Sequence, residues 1–225
     1  MADVCTSYSL ALAVEDLLPV AFGAVGYWYL SRRAADSLPE VATPVRIAGL
    51  LLVVGSFVAG PLRKVLVVAE GSTTCFPALQ TPFFSVLPAC FGIIAWALWS
   101  LRKGRVVPVW PFALMAALGV IAALARDNRS LLLAFGGLLA VVAAVNGAIL
   151  AWREGARWAS VAFTVNGLGT LALPAIGTSA GVSDVTAQWL AQGINTISQA
   201  AFAFGCYRLF TEHGRLPATT SGEVT

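Results

Sequence analysis

Apolar residues run along the chain in seven long stretches: Leu10 to Leu30, Val45 to about Val68, Phe83 to Leu101, Val107 to Ala125, Leu131 to Trp152, Ala156 to Ile176 and Thr186 to Phe210. At about 1.5 Å per residue each stretch can cross a hydrocarbon layer of about 30 Å as a helix. The polar connections are short and rich in Gly, Pro, Ser and charge, as in Ser31 to Pro44, Arg102 to Arg105 and Arg153 to Arg157. The pattern predicts an all-α, polytopic membrane protein built as a seven-transmembrane-helix bundle. No domain boundary interrupts it: residues 1–212 read as a single transmembrane domain and 213–225 as a short flexible tail. The first stretch is expected to stay attached. Met1 to Leu30 holds no Lys or Arg and carries Asp3, Glu15 and Asp16, whereas a signal peptide begins with a basic region.

Basic residues orient the bundle, because short cytoplasmic loops collect Lys and Arg. Arg32, Arg33, Arg46, Arg102, Lys103, Arg105, Arg153, Arg157, Arg208 and Arg215 fall on one side, ten of the 14 in the chain. The N-terminus is therefore expected outside and the C-terminus in the cytoplasm, at the cell membrane. Helices running inward also end alike, in Tyr27-Trp28-Tyr29, Trp96 and Trp99, Trp152, and Tyr207 and Phe210, each followed by Arg or Lys. The likeness reads as an aromatic belt with cationic anchors, with a trace of an internal repeat as the alternative.

Composition sharpens the class. With 58% hydrophobic and 11% charged residues, nucleic-acid recognition, phosphate-loop chemistry and a large extramembrane enzyme are excluded. The net charge of +3 is a by-product of the topology markers. A single histidine, His213, speaks against haem or zinc held by histidines, and no cofactor is expected. Of four cysteines, Cys5 and Cys75 share the outer side and are the one pair suited to a disulfide; Cys90 and Cys206 lie within spans. Asn128-Arg129-Ser130 matches a glycosylation acceptor but sits too close to two spans for use.

Several polar residues do not belong in lipid. Glu15, counted from Ser31, lies about 24 Å above the cytoplasmic end, and Lys64, counted from Val45, about 28 Å. Arg126 on span four and Gln192 on span seven reach about 27–28 Å by the same arithmetic. Glu15, Asp16, Arg63, Lys64, Arg126 and Gln192 thus form a polar layer near the outer face. Intramembrane charges are expected to pair or to face a watery cavity. Adjacent helical positions point about 100° apart, so one acid should pair and the other line the cavity; Glu15 with Arg63 is the expected pair. Asn166, Asn195 and Gln199 form a deeper set, the last two sharing a helix face. Pro19, Pro61, Pro88 and Pro174 each remove a helical hydrogen bond, and unwound backbone is tolerated where it lines a cavity. Gly23, Gly26, Gly136, Gly137, Gly147, Gly167, Gly169 and Gly193 are expected to let helices pack closely.

Seven spans with an external N-terminus is the arrangement of rhodopsins, but the only lysines are Lys64 and Lys103, so the last span has none to bind retinal. Pro19, Pro61, Pro174 and Asn195 loosely resemble the proline and asparagine pattern of small seven-span sugar transporters; span five lacks the corresponding proline. Membrane terpene cyclases have this size, yet no motif around Glu15, Asp16 or Glu70 matches theirs. No family is assigned. The leading expectation is a small-molecule transporter or channel with an outward charged vestibule, its site built from Glu15, Asp16, Arg63, Lys64, Arg126, Asn166, Gln192, Asn195 and Gln199. Alternatives are a noncatalytic sensor, an assembly factor or subunit of a membrane complex, and a membrane enzyme using a buried carboxylate as general acid. The partners expected are the lipid bilayer and a small-molecule ligand, with an oligomer or partner subunit left open and no nucleic acid.

The orientation has a direct test. An impermeant thiol reagent applied to intact cells should label Ser7→Cys and spare Ser221→Cys; the reverse pattern would invert the topology.

Overall fold

The structure, a computed structural model, describes residues 8–70, 76–179 and 185–213, those of 174–179 by backbone alone. Cys5, Cys75 and residues 214–225 lie outside the described residues, and with them the expected disulfide and most of the tail. The described residues form seven helices: α1 (Leu10–Ser37), α2 (Pro39–Ala69), α3 (Pro77–Lys103), α4 (Trp110–Ala125), α5 (Ser130–Arg153), α6 (Arg157–Ser179) and α7 (Val185–His213). No strand occurs among the described residues. Four helices, α1, α2, α3 and α5, are long and apolar enough to cross a membrane; α4 is apolar but only 16 residues long.

Local chemistry sets the ends and the irregularities. The Ser9 hydroxyl caps α1 by accepting from the Leu12 amide at 3.2 Å, satisfying one of the free N–H groups of the first turn. α1 is interrupted at Asp16, a turn between Leu10–Glu15 and Leu17–Ser37. Pro19 is the cause, since it has no N–H to offer the Glu15 carbonyl. α2 loosens into a π-turn over Val58–Leu62 around Pro61, and π-turns of this kind concentrate at functional sites. By contrast α3 continues unbroken through Pro82 and Pro88, and α6 through position 174. The connection expected over Ser31 to Pro44 is mostly helical: only Leu38, with φ −145° and ψ 79°, separates α1 from α2. Asn128 accepts from the Ser130 amide at 3.0 Å, so its side chain starts α5.

Neighbouring helices close a ring in the order α1, α2, α3, α5, α6, α7 and back to α1, while α4 packs outside against α3 and α5. Each ring contact is made by a glycine receiving a larger side chain. Gly49 takes Tyr27, Gly55 takes Phe83, Gly136 takes Leu87, Gly147 takes Phe163, Gly169 takes Ser198 and Gly26 takes Phe202. A methyl on Gly26 would sit 2.5 Å from the Phe202 ring, and one on Gly147 2.8 Å from Phe163, so these six let backbones approach as small residues do in membrane bundles. Gly137 and Gly193, also expected at packing contacts, have nothing within 4 Å of the methyl position.

The outward faces carry large apolar side chains, including Leu50 and Val54 on α2, Leu118 and Ile121 on α4, and Leu168 and Leu171 on α6. An apolar exterior on this scale needs a nonaqueous surrounding, which together with the four long helices marks a membrane protein. We call the end where α1, α3, α5 and α7 begin the upper end. The lower half is solid: Leu30, Val41, Val45, Leu98, Phe163 and Leu209 are fully buried. There Arg33 on α1 bridges to Glu154 at the end of α5 at 2.6 Å and bonds Ser37 as well.

Candidate functional site

The upper half of the ring is hollow. A cavity of about 820 Å³ is lined by all six ring helices and by no residue of α4. Its size lies within the range of about 300–1,000 Å³ usual for small-molecule sites. Tyr27 and Phe202, with ring centroids 5.0 Å apart, line its lower end, and Phe163 packs beneath Phe202 at 6.2 Å. Phe83, Phe84 and Phe91 of α3 form one wall. Small residues of α5, among them Ala134, Gly137, Ala140 and Ala144, form another. The polar groups come mainly from α6 and α7, whose Asn166, Thr170, Gln192, Asn195, Ser198 and Gln199 all line the cavity.

Of the nine residues singled out from the sequence, Asp16, Asn166, Gln192, Asn195 and Gln199 line this one cavity. The ion pair expected between Glu15 and Arg63 forms instead between Asp16 and Lys64, Oδ2 to Nζ 2.5 Å, with both residues buried. The π-turn lies just before the two bases and adds one residue relative to an α-helix, so the side chains beyond it stand one position off regular α-helical register. Gly60 in that turn gives the carboxylate room, since a methyl there would lie 3.0 Å from Asp16 Oδ2.

Arg63 turns the other way. Its Nε donates to the Ala59 carbonyl at 3.1 Å and its Nη2 to the Tyr8 hydroxyl at 2.8 Å. The Tyr8 ring lies within 5.3 Å of the guanidinium carbon and 5.7 Å of the Lys64 ammonium, close enough for its face to attract both cations. Glu15 points to α7, where Thr196 Oγ1 donates to its Oε1 at 2.6 Å; the other carboxylate oxygen is buried without a partner. Arg126 ends α4, exposed and outside the ring. The charges thus pair with one another or turn to neighbouring side chains, Asp16 to Lys64, Glu15 to Thr196 and Arg63 to Tyr8.

Sequence reasoning did not identify Tyr8, Thr196 or the phenylalanine wall. Tyr8 and Thr196 carry no distinguishing signal, and a Phe in an apolar run looks like any lipid-facing residue. Within the cavity the polar side chains divide into two groups. Asn166 Nδ2 donates to the Ser198 carbonyl at 3.1 Å, Thr170 to the Asn166 carbonyl at 2.9 Å and Ser198 Oγ to the Ile194 carbonyl at 2.8 Å. These three fasten α6 to α7 and adjust their own helices. No such bond engages Asn195 or Gln199 among the described residues. With the Thr170 and Ser198 hydroxyls committed to backbone, neither stands beside a base as an activated nucleophile would. No cluster of three or more His, Cys, Asp or Glu side chains suited to a metal occurs among the described residues.

Comparison of the chain with protein-family models, with curated proteins and with solved structures gives no match. The site must therefore be read from its own chemistry.

The Glu15 contact makes a specific prediction. Thr196→Val strands a carboxylate that already has one unpartnered oxygen, and should cost about 1–3 kcal/mol in thermal unfolding of the protein in lipid nanodiscs. Adding Glu15→Gln should recover part of it. Unchanged unfolding of Thr196→Val would show that the contact carries no stability.

Proposed function

We propose that the chain crosses the cell membrane seven times, with its N-terminus outside and C-terminus in the cytoplasm, and moves a small molecule through the bundle. The observation that carries this reading is the cavity of about 820 Å³ in the upper half of the ring, above a lower half in which Leu30, Val45, Leu98, Phe163 and Leu209 are fully buried. Under the proposed topology that half faces outward. The closed floor at Tyr27 and Phe202 fits a transporter resting in an outward-facing state better than a channel, whose path would continue. The interrupted α1 and the π-turn of α2 meet at the mouth. Broken helices beside a site near the middle of the membrane are a recurrent device of transporters, because they let one group of helices move against another.

The lipid bilayer covers the outer apolar faces in this reading, α4 bracing the ring from the lipid side. α6 and α7, whose amides lower their hydropathy, cross as members of the ring, because the amides Asn166, Gln192, Asn195 and Gln199 line the cavity rather than facing lipid.

Accessibility tests the proposal. In a chain with its native cysteines replaced, Asn195→Cys should react with an impermeant thiol reagent from outside. In inverted vesicles it should react more slowly from the cytoplasmic side, as the site alternates. Reaction from the outside alone would describe a fixed receptor pocket, and reaction from neither side would end the proposal.

A further inference from the structure

Resting on the reading of the cavity as a small-molecule site, we infer that its ligand is an uncharged amphiphile with a flat apolar body and one hydrogen-bonding edge. Three features of the cavity define this class: its charge, its shape and the placement of its free amides.

Charge comes first. Among the described residues no Lys, Arg or His lines the cavity, and the single carboxylate that does, Asp16, is paired with Lys64 at 2.5 Å. Arg63 is directed to Tyr8 and the Ala59 carbonyl, and Arg126 lies outside the ring. A charged ligand entering this space would give up its hydration and meet no free countercharge, which is strongly unfavourable in a low-dielectric interior. The outward vestibule is hollow, but it is not the charged one that the row of ionisable residues leads one to expect.

Shape comes next. Phe83, Phe84 and Phe91 stand on α3, and beside them its ring neighbour α5 presents Ala134, Gly137, Ala140 and Ala144, none with an atom beyond Cβ. A wall of rings continued by a nearly featureless wall suits a flat apolar body better than a branched or globular one. The polar edge is then fixed by α7. Asn195 and Gln199 line the cavity one helical turn apart with no hydrogen bond to the rest of the described protein, and Gln192, one turn nearer the mouth, has its Nε2 buried without a partner, whereas Asn166, Thr170 and Ser198 are bonded to backbone carbonyls. Two free amides about 5–6 Å apart each offer a donor and an acceptor. They call for carbonyl, amide or hydroxyl groups along one side of the ligand. A sugar, hydroxylated all round, would leave groups unmatched against the phenyl wall.

A matched probe set isolates the charge: 1-naphthylacetamide, 1-naphthylacetate and 1-naphthylmethylammonium, which share one flat body. Binding is measured by equilibrium dialysis against the full-length protein in nanodiscs, with empty nanodiscs subtracted. The amide should bind at least about tenfold more tightly than either ion. Asn195→Leu should weaken the amide by about five- to thirtyfold by removing one partner. Gly137→Leu fills open space in the cavity and should abolish binding, while Gly193→Leu, which meets open space away from the cavity, should leave it unchanged.

Equal or tighter binding of either ion overturns the inference, as does binding of the amide that ignores both Asn195→Leu and Gly137→Leu. If none of the three probes binds while Asn195→Cys still reacts from outside, the ligand class is wrong and the cavity reading stands. If Asn195→Cys is unreachable, the cavity reading itself has failed.

Discussion

The ion pair between Asp16 and Lys64 is what allows two interrupted helices to share the mouth of a ring surrounded by lipid. In hydrocarbon an unmatched charge or backbone group finds no water to satisfy it, so an acid on one broken helix and a base on another are tolerable only when they meet. At 2.5 Å, with both residues buried, they do. The pair holds α1 against α2 beside the turn at Asp16 and the π-turn at Val58–Leu62. It also removes the charge that Asp16 would otherwise present to the cavity. Tyr8 placed against both cations and Thr196 bonded to Glu15 extend the same accommodation to the neighbouring charges.

The two halves of the bundle follow from different packing. Below, Tyr27, Phe202 and Phe163 enter glycine gaps on the next helix, and Arg33 ties α1 to Glu154 on α5. Above, the inward faces of the neighbouring helices α3 and α5 leave the centre of the ring unfilled, because beside the phenylalanines of α3 the lining of α5 is mainly alanine and glycine. Gly136 and Gly137 illustrate the division at adjacent positions. A methyl on the first would collide with Leu87, and a methyl on the second would meet nothing. Hollowness is thus a consequence of which residues were left small, and it is confined to the half of the ring that carries the free amides.

Much of this was legible in the chain. Helices declare themselves where apolar runs are long, and Asn166, Gln192, Asn195 and Gln199 stand out as amides inside such runs. Position along a helix axis can be counted from the sequence, since rise per residue is constant; azimuth about the bundle cannot. Arg126 lies at the end of α4, which the ring excludes, and no periodicity in the sequence announces that exclusion. Which base meets Asp16 was equally hidden, since a π-turn that adds one residue ahead of Arg63 and Lys64 carries no sequence signal. Helix ends were blurred for another reason: Ser31 to Ser37 looks like a polar loop, but its polar residues lie on a helix that continues below the apolar stretch.

The central claim is that Asp16 and Lys64 act as one unit, and a double-mutant cycle on unfolding in nanodiscs tests it most directly. Asp16→Asn and Lys64→Met alone should each cost several kcal/mol, up to about 3–5, because each leaves a buried charge uncompensated. Combined, they should recover most of that loss, since neutral groups replace the pair together. A double variant as unstable as the sum of the two singles would contradict the account and leave the mouth of the ring without its organising contact.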